Sequence, residues 1–105
     1  MEFKYTPELT EYILKHHKKT LLVEMVEVSS SDLEITELHA YFINDRMREQ
    51  FVNQKRYRVF PTELGEVLLP RFPLEMEDTV IFGLKSCLFF KHITCQGIKV
   101  LGRPA

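Results

Sequence analysis

Both cysteines of this 105-residue chain lie in one segment, KSCLFFKHITCQGIKV, from Lys85 to Val100. Thiolate and imidazole are the donors that hold soft and borderline metals, so Cys87, His92 and Cys95 are the candidate ligands of a metal or redox centre. Their spacing argues against a shared ion. In one extended strand, eight residues at about 3.3 Å each would separate the cysteines by roughly 26 Å. A turn at His92 to Thr94 would shorten that distance, but the tight C-x2-C spacing is missing. Free cysteine is among the most buried residue types, so the pair reads as small hydrophobes of a buried strand region. His92, next to Lys91, and His39, in the middle of another apolar stretch, read as half-buried residues with one satisfied nitrogen. A catalytic base would need a nucleophile or carboxylate partner, and the pattern supplies none. His16 and His17 are adjacent, hence about 100° apart on a helix, and do not form the one-face pair that i, i+4 histidines make.

Two charge clusters are the other places where chemistry could sit. Glu24, Glu27, Asp32, Glu34 and Glu37 surround a serine run and could offer oxygen ligands to a hard cation. The central glycine of a calcium loop is absent, so a solvated face is the better reading. Arg46, Arg48, Lys55, Arg56 and Arg58 are interleaved with Phe51 and Tyr57, a mixture that can bind phosphates and stack bases. Asp45 and Glu49 dilute the cluster and make nucleic acid an unfavoured partner. Arginine with aromatics is also the usual composition of interface hot spots. Arg46, Arg48, Phe51, Arg56 and Tyr57 are therefore the candidate partner-binding residues, for another protein or a second copy of the chain. The alternative is that Phe51 and Tyr57 pack beneath a solvated loop.

The elements that must position these residues follow from periodicity. EFKY alternates as a short strand. Thr6 is placed to cap a helix, Pro7 suits its first position, and Glu8 complements its positive end. Leu9, Tyr12, Ile13 and His16 recur as one buried stripe, and the helix is expected to end near Lys18. TLLVEMVEV, from Thr20 to Val28, predicts a strand covered on most of both faces, broken by SSSD. Leu33 to Ile43 predicts a strand pairing back on it, with a helix as the alternative. Asp45 to Val52 is open between a helical turn and a loop. RYRVF alternates like a strand, Leu64-Gly65 marks a hairpin turn, and the prolines of PRFP stop regular pairing. TVIFGL, CLFFKHI and QGIKVL are three further strand candidates, with breaks at KS and TC. Phe89 and Phe90 would then face opposite sides of one strand, with at least one in the core.

The whole chain sets outer bounds. Its length and a 45% apolar, 28% charged composition predict a single folded domain over residues 1–105. Fourteen Lys and Arg against 15 Asp and Glu leave no global field for nucleic acid or an anionic membrane, so only a local patch could act that way. No apolar run reaches the roughly 18 residues of a spanning helix, and the opening MEFKYTPEL lacks the layout of a secretion signal. The expected address is the cytoplasm, with no membrane association and with reduced thiols. Nucleophile elbow, phosphate loop and paired catalytic carboxylates are all missing, so no enzyme activity and no cofactor are expected.

The order of TPELTEYILKHH, TLLVEMVEV, SSSD, a strand, ELGEVLLPRFPLE and the terminal VIFGLKSCLFFKHITCQGIKV resembles the small HesB-like proteins. The terminal part is similar to the L-x-F-K-x-x-x-x-x-G-I ending of the short bacterial branch with a Cys-Cys or Cys-selenocysteine motif. Leu88, Phe90, Lys91, Gly97 and Ile98 are the matching residues. The resemblance implies an α+β, mainly β compact domain with one N-terminal helix. It also implies, for the better-known members, an iron or iron–sulfur carrier whose thiolates come from a cysteine after an early strand and from a terminal C-G-C. Here Ser29-Ser30-Ser31 and LGRPA occupy those places, and a protonated hydroxyl does not replace a thiolate. The expectation is thus a non-enzymatic binding or accessory module on that scaffold. The alternative is an iron or iron–sulfur carrier using non-standard or intersubunit ligands.

Overall fold

The structure is a computed structural model that describes residues 2–30, 33–71 and 73–100. Strand β1 (Glu2–Tyr5) leads into helix α1 (Pro7–His16), and Thr6 between them accepts the Leu9 backbone N–H on Oγ1 at 3.4 Å. The helix stops where His17 turns left-handed at φ 54° and its N–H bonds back to the Ile13 carbonyl. Leu9 and Ile13 form the buried stripe. His16, expected there as well, is exposed and lies against the Tyr12 ring at a centroid distance of 4.5 Å.

Strand β2 (Thr20–Ser30) pairs antiparallel with β3 (Leu33–Phe42), from Leu21 opposite Phe42 to Ser30 opposite Leu33. Pairing therefore runs two residues into the serine run that was expected to break it. Ser31 and Asp32, the rest of that expected break, lie outside the described residues. β5 (Gly65–Leu69) lies parallel to β2 on its other side, and β4 (Arg58–Thr62) closes a hairpin onto β5 around Glu63 and Leu64. The resulting sheet has the order β3-β2-β5-β4. Four consecutive residues of β2, Thr20 to Val23, are buried, as a strand covered on both faces requires. Leu21 and Val23 meet Leu9, Ile13, Val67, Leu69, Val80, Phe82 and Ile98 in the main core. Leu22 faces the other way, onto Leu68 and Phe51.

The layer over Leu22 and Leu68 is helical. Asn44 caps a short helix α2 (Asp45–Glu49), its Oδ1 accepting from the Met47 N–H at 2.9 Å, and a π-helical turn continues over Gln50–Gln54. The fold is mainly β with two helices, one more than the expected single N-terminal helix.

The second sheet has the order β1-β6-β7. Here the three expected strands are two. β6 (Leu74–Cys87) and β7 (Phe90–Val100) form one antiparallel hairpin, and the turn falls on Leu88 and Phe89. KS and TC lie inside strands, at Lys85–Ser86 and Thr94–Cys95. β6 absorbs an irregularity between Met76 and Ile81 where Gly97, at φ 97°, lets the two backbones close up. A Cβ on Gly97 would sit 2.7 Å from the Thr79 carbonyl oxygen. β1 runs parallel to β6, Glu2 opposite Thr79 through Tyr5 opposite Phe82. Tyr5 then ties the two sheets together by a 2.8 Å hydroxyl contact with Thr62.

Candidate functional site

The β6–β7 turn separates the two cysteines onto different strands. The Cys87 backbone pairs with Phe90 and Cys95 pairs with Phe82, so the two positions are five rungs apart, roughly 17 Å along the sheet. One ion cannot span them. Cys95 is a half-buried free thiol whose desolvation pushes its pKa up to about 11, the opposite of a ligand or nucleophile environment. His92 is exposed and pairs with Lys85 across the hairpin. Among the described residues, no three His, Cys, Asp or Glu side chains gather as a metal site. His39 is exposed, its Nε2 2.9 Å from the Glu37 carboxylate on the surface of β3.

The basic cluster is divided between the two sides of the helical layer. Phe51 is only 4% exposed and stands edge-on to Tyr57 at 5.0 Å, with the Lys55 ammonium 4.4 Å from its centroid. Tyr57 is half-buried, and its hydroxyl oxygen accepts the Met25 backbone N–H at 3.3 Å. Burial is the main cause that raises its pKa. Both rings are thus occupied under the layer. Arg48 turns towards β5 and forks onto Glu66, with Nη2 donating to Oε1 at 3.1 Å and Nε to Oε2. Thr20 Oγ1 donates to the same carboxylate at 2.9 Å, and the Arg48 hydrogen bond is the chief cause that holds Glu66 below the usual carboxylate range. Lys19 and Asp45 pair beside them at 2.9 Å around an open depression. Arg46, Lys55 and Arg56 remain exposed, and the Arg56 carbonyl accepts from Arg71 Nε at 2.8 Å. The structure therefore brings Phe51 and Tyr57 together as a packed pair and spends Arg48 on an intramolecular fork.

The most exposed large apolar side chains lie elsewhere. Leu88, Phe89 and Phe90 are 92%, 94% and 74% exposed at the β6–β7 turn. The expectation that Phe89 or Phe90 is core fails because the turn falls exactly where a strand was read. Leu88 adopts φ 52°, a conformation that two-residue hairpin loops normally give to Gly, Asn or Asp. Exposed Lys85, Ser86, Lys91 and His92 stand directly behind the tip. From Thr79 to Val100 the sequence contains Lys85, Lys91 and Lys99 and not one Asp or Glu. On one flank, Lys91 and His92 share a depression of about 260 Å³ with Tyr12 and with Lys18, just beyond α1. Sequence reading passed over this site because CLFF carries no turn residue. The signal available was the acid-free stretch around it. The chain matches no protein-family model, no curated protein and no solved structure.

Proposed function

We propose that the chain is a binding module that performs no covalent chemistry and engages its partner with the tip of the β6–β7 hairpin. The observation that carries this reading is the exposure of Leu88, Phe89 and Phe90 on a turn whose backbone suits glycine. A loop selected for closure alone would carry Gly, Asn or Asp. Leucine at positive φ costs stability of order 1–3 kcal/mol, and such strain persists chiefly where a side chain is needed for function. Exposed side chains on a rigid hairpin are well placed for contact at little cost to the core. The resemblance to HesB-like proteins supports the same element, because its matching residues Leu88, Phe90, Lys91, Gly97 and Ile98 all fall on this hairpin. A cytoplasmic address goes with this proposal.

The test is a photo-reactive phenylalanine analogue at position 89 in the producing cell, with the same analogue at Val59, which is 36% exposed on β4, as the control. Adducts at 89 that are missing at 59 are expected. Equal labelling at the two positions sinks the reading. An iron carrier remains the competing proposal, and the protonated Cys95 thiol disfavours it. Anaerobically purified protein should be colourless and free of stoichiometric iron. Reproducible binding of iron, lost on replacing Cys87 or Cys95, would reverse that order.

A further inference from the structure

We infer that the partner of the hairpin tip is an anionic lipid surface, into which Leu88, Phe89 and Phe90 insert while the lysines behind them meet the phosphates. The inference rests on the docking role proposed for this hairpin and names its occupant. Three features of the site select a bilayer.

The first is the depth at which charge follows apolar surface. Lys91 lies two residues from Phe89, and Lys85 three residues from Leu88, so the cations stand roughly 7–10 Å behind the tip. Interfacial segments bury their apolar face about 5–10 Å into the headgroup and acyl boundary. With the tip at that depth, the backbone of both lysines lies near the phosphate level, and the Lys91 ammonium, 5.8 Å from the Tyr12 ring, would have to swing off it to meet a phosphate.

The second is the sign of the field. The whole chain is near neutral, but the hairpin residues from Thr79 to Gly97 carry Lys85 and Lys91 next to the tip and no carboxylate, while Lys99 stands opposite Glu75 at the far end. Lys18 lines one depression with Lys91 and His92, extending the cationic rim beyond the hairpin itself. Glu8 and Glu11 of α1 face Ser86 and Lys91 on one flank, where Lys15 and His16 accompany them. The rim is therefore cationic by excess, with Lys85, Lys91, Lys15 and Lys18 set against Glu8 and Glu11.

The third is shape. The tip is a convex two-residue turn. A symmetric contact with a second copy would bring two such tips together and oppose Lys85 and Lys91 to their own equivalents, a like-charge juxtaposition. Nucleic acid would also attract the lysines and could stack on Phe89 and Phe90, but it offers no apolar phase for the aliphatic Leu88 beside them, which a bilayer does.

The experiment is sedimentation of the full chain with vesicles of phosphatidylcholine alone or with phosphatidylserine added, at low and raised salt. Wild type should sediment with the anionic vesicles only, and less so as salt is raised. Lys85→Ala and Lys91→Ala should each weaken binding about fivefold. Leu88→Ser with Phe89→Ser should abolish it, and since all these side chains are exposed the variants should fold as wild type does. Equal binding to neutral vesicles, binding that ignores the tip variant, or sedimentation with neither vesicle overturns the lipid assignment. Retention on a single-stranded oligothymidylate without vesicle binding overturns it in favour of nucleic acid. A concentration-dependent dimer in sedimentation velocity, lost in the tip variant and unaccompanied by vesicle binding, overturns it in favour of a second copy. These last two outcomes leave the docking role of the hairpin standing, whereas equal labelling at positions 89 and 59 removes both.

Discussion

Phe82 and Phe89 are seven residues apart in one hairpin, and their exposures are 0% and 94%. Phe82 stacks on Phe3 at 6.1 Å and lies 5.9 Å from the Tyr5 ring, so it joins β1 to β6 through side chains as well as backbone. Phe82→Ala should lower stability by about 3–5 kcal/mol, whereas Phe89→Ala should stay within about 0.5 kcal/mol of wild type. Denaturant midpoints for the two variants check this, and similar losses would mean that the tip packs after all. Local residue type could not separate these positions, since each phenylalanine sits in a strand-like apolar run. Glu66 is a second case where neighbours decide. Its pKa lies below the ordinary value of 4.5, chiefly through Arg48, so its contribution is complete above that value and is lost as pH falls through the lower folded value. The stability advantage of wild type over Glu66→Gln should therefore be level near neutral pH and shrink in acid. An advantage that grew in acid would contradict the Arg48 fork.

Elements were legible in the sequence where their punctuation was chemical. Thr6-Pro7 announced α1, Leu64-Gly65 announced the β4–β5 turn, and the apolar run from Thr20 announced a strand that is buried on both faces over Thr20 to Val23 and half-buried to exposed from Glu24 to Glu27. The β6–β7 turn was not legible because Leu88-Phe89 lacks every residue that marks a turn, and its register is fixed by pairing on both sides. The π-helical turn after α2 is not legible for a related reason, since its shape depends on Phe51 reaching Leu22 and Leu68. The β6–β7 and β4–β5 turns give element-scale predictions of opposite sign. Leu88→Gly with Phe89→Asn should raise the denaturant midpoint, relieving roughly 1–2 kcal/mol of left-handed strain, and should lose whatever the tip binds. Gly65 has φ 149°, and a Cβ there would lie 2.1 Å from the Lys19 carbonyl oxygen, which already accepts the Glu66 N–H at 2.8 Å. Gly65→Ala should thus cost about 1–3 kcal/mol or more. Unchanged thermal unfolding in both variants would rule out strain at Leu88 and a close approach at Gly65.

At the scale of the whole molecule, the mainly β class and the near-neutral charge were both readable from composition and pattern. The pairing of the first strand with the sixth was not, because nothing in EFKY names its partner. No helix among the described residues is long and apolar enough to cross a membrane. Parallel pairing of β1 with β6 joins residues 77 positions apart, from Glu2 and Thr79 onward. Such non-local topology places folding in the range of milliseconds to seconds, which stopped-flow refolding would measure. It also bears on synthesis. Ribosomes deliver roughly 5–20 residues per second, so Phe3 and Tyr5 emerge about 4–15 seconds before Val80 and Phe82 exist to receive them. Until then the aromatic residues of β1 have no strand to pair with. A chain halted short of Thr79 lacks the strand that pairs with β1 and the Phe82 ring that covers Phe3 and Tyr5, so an unfinished copy leaves these aromatic residues open to the chaperones and proteases that sort nascent chains.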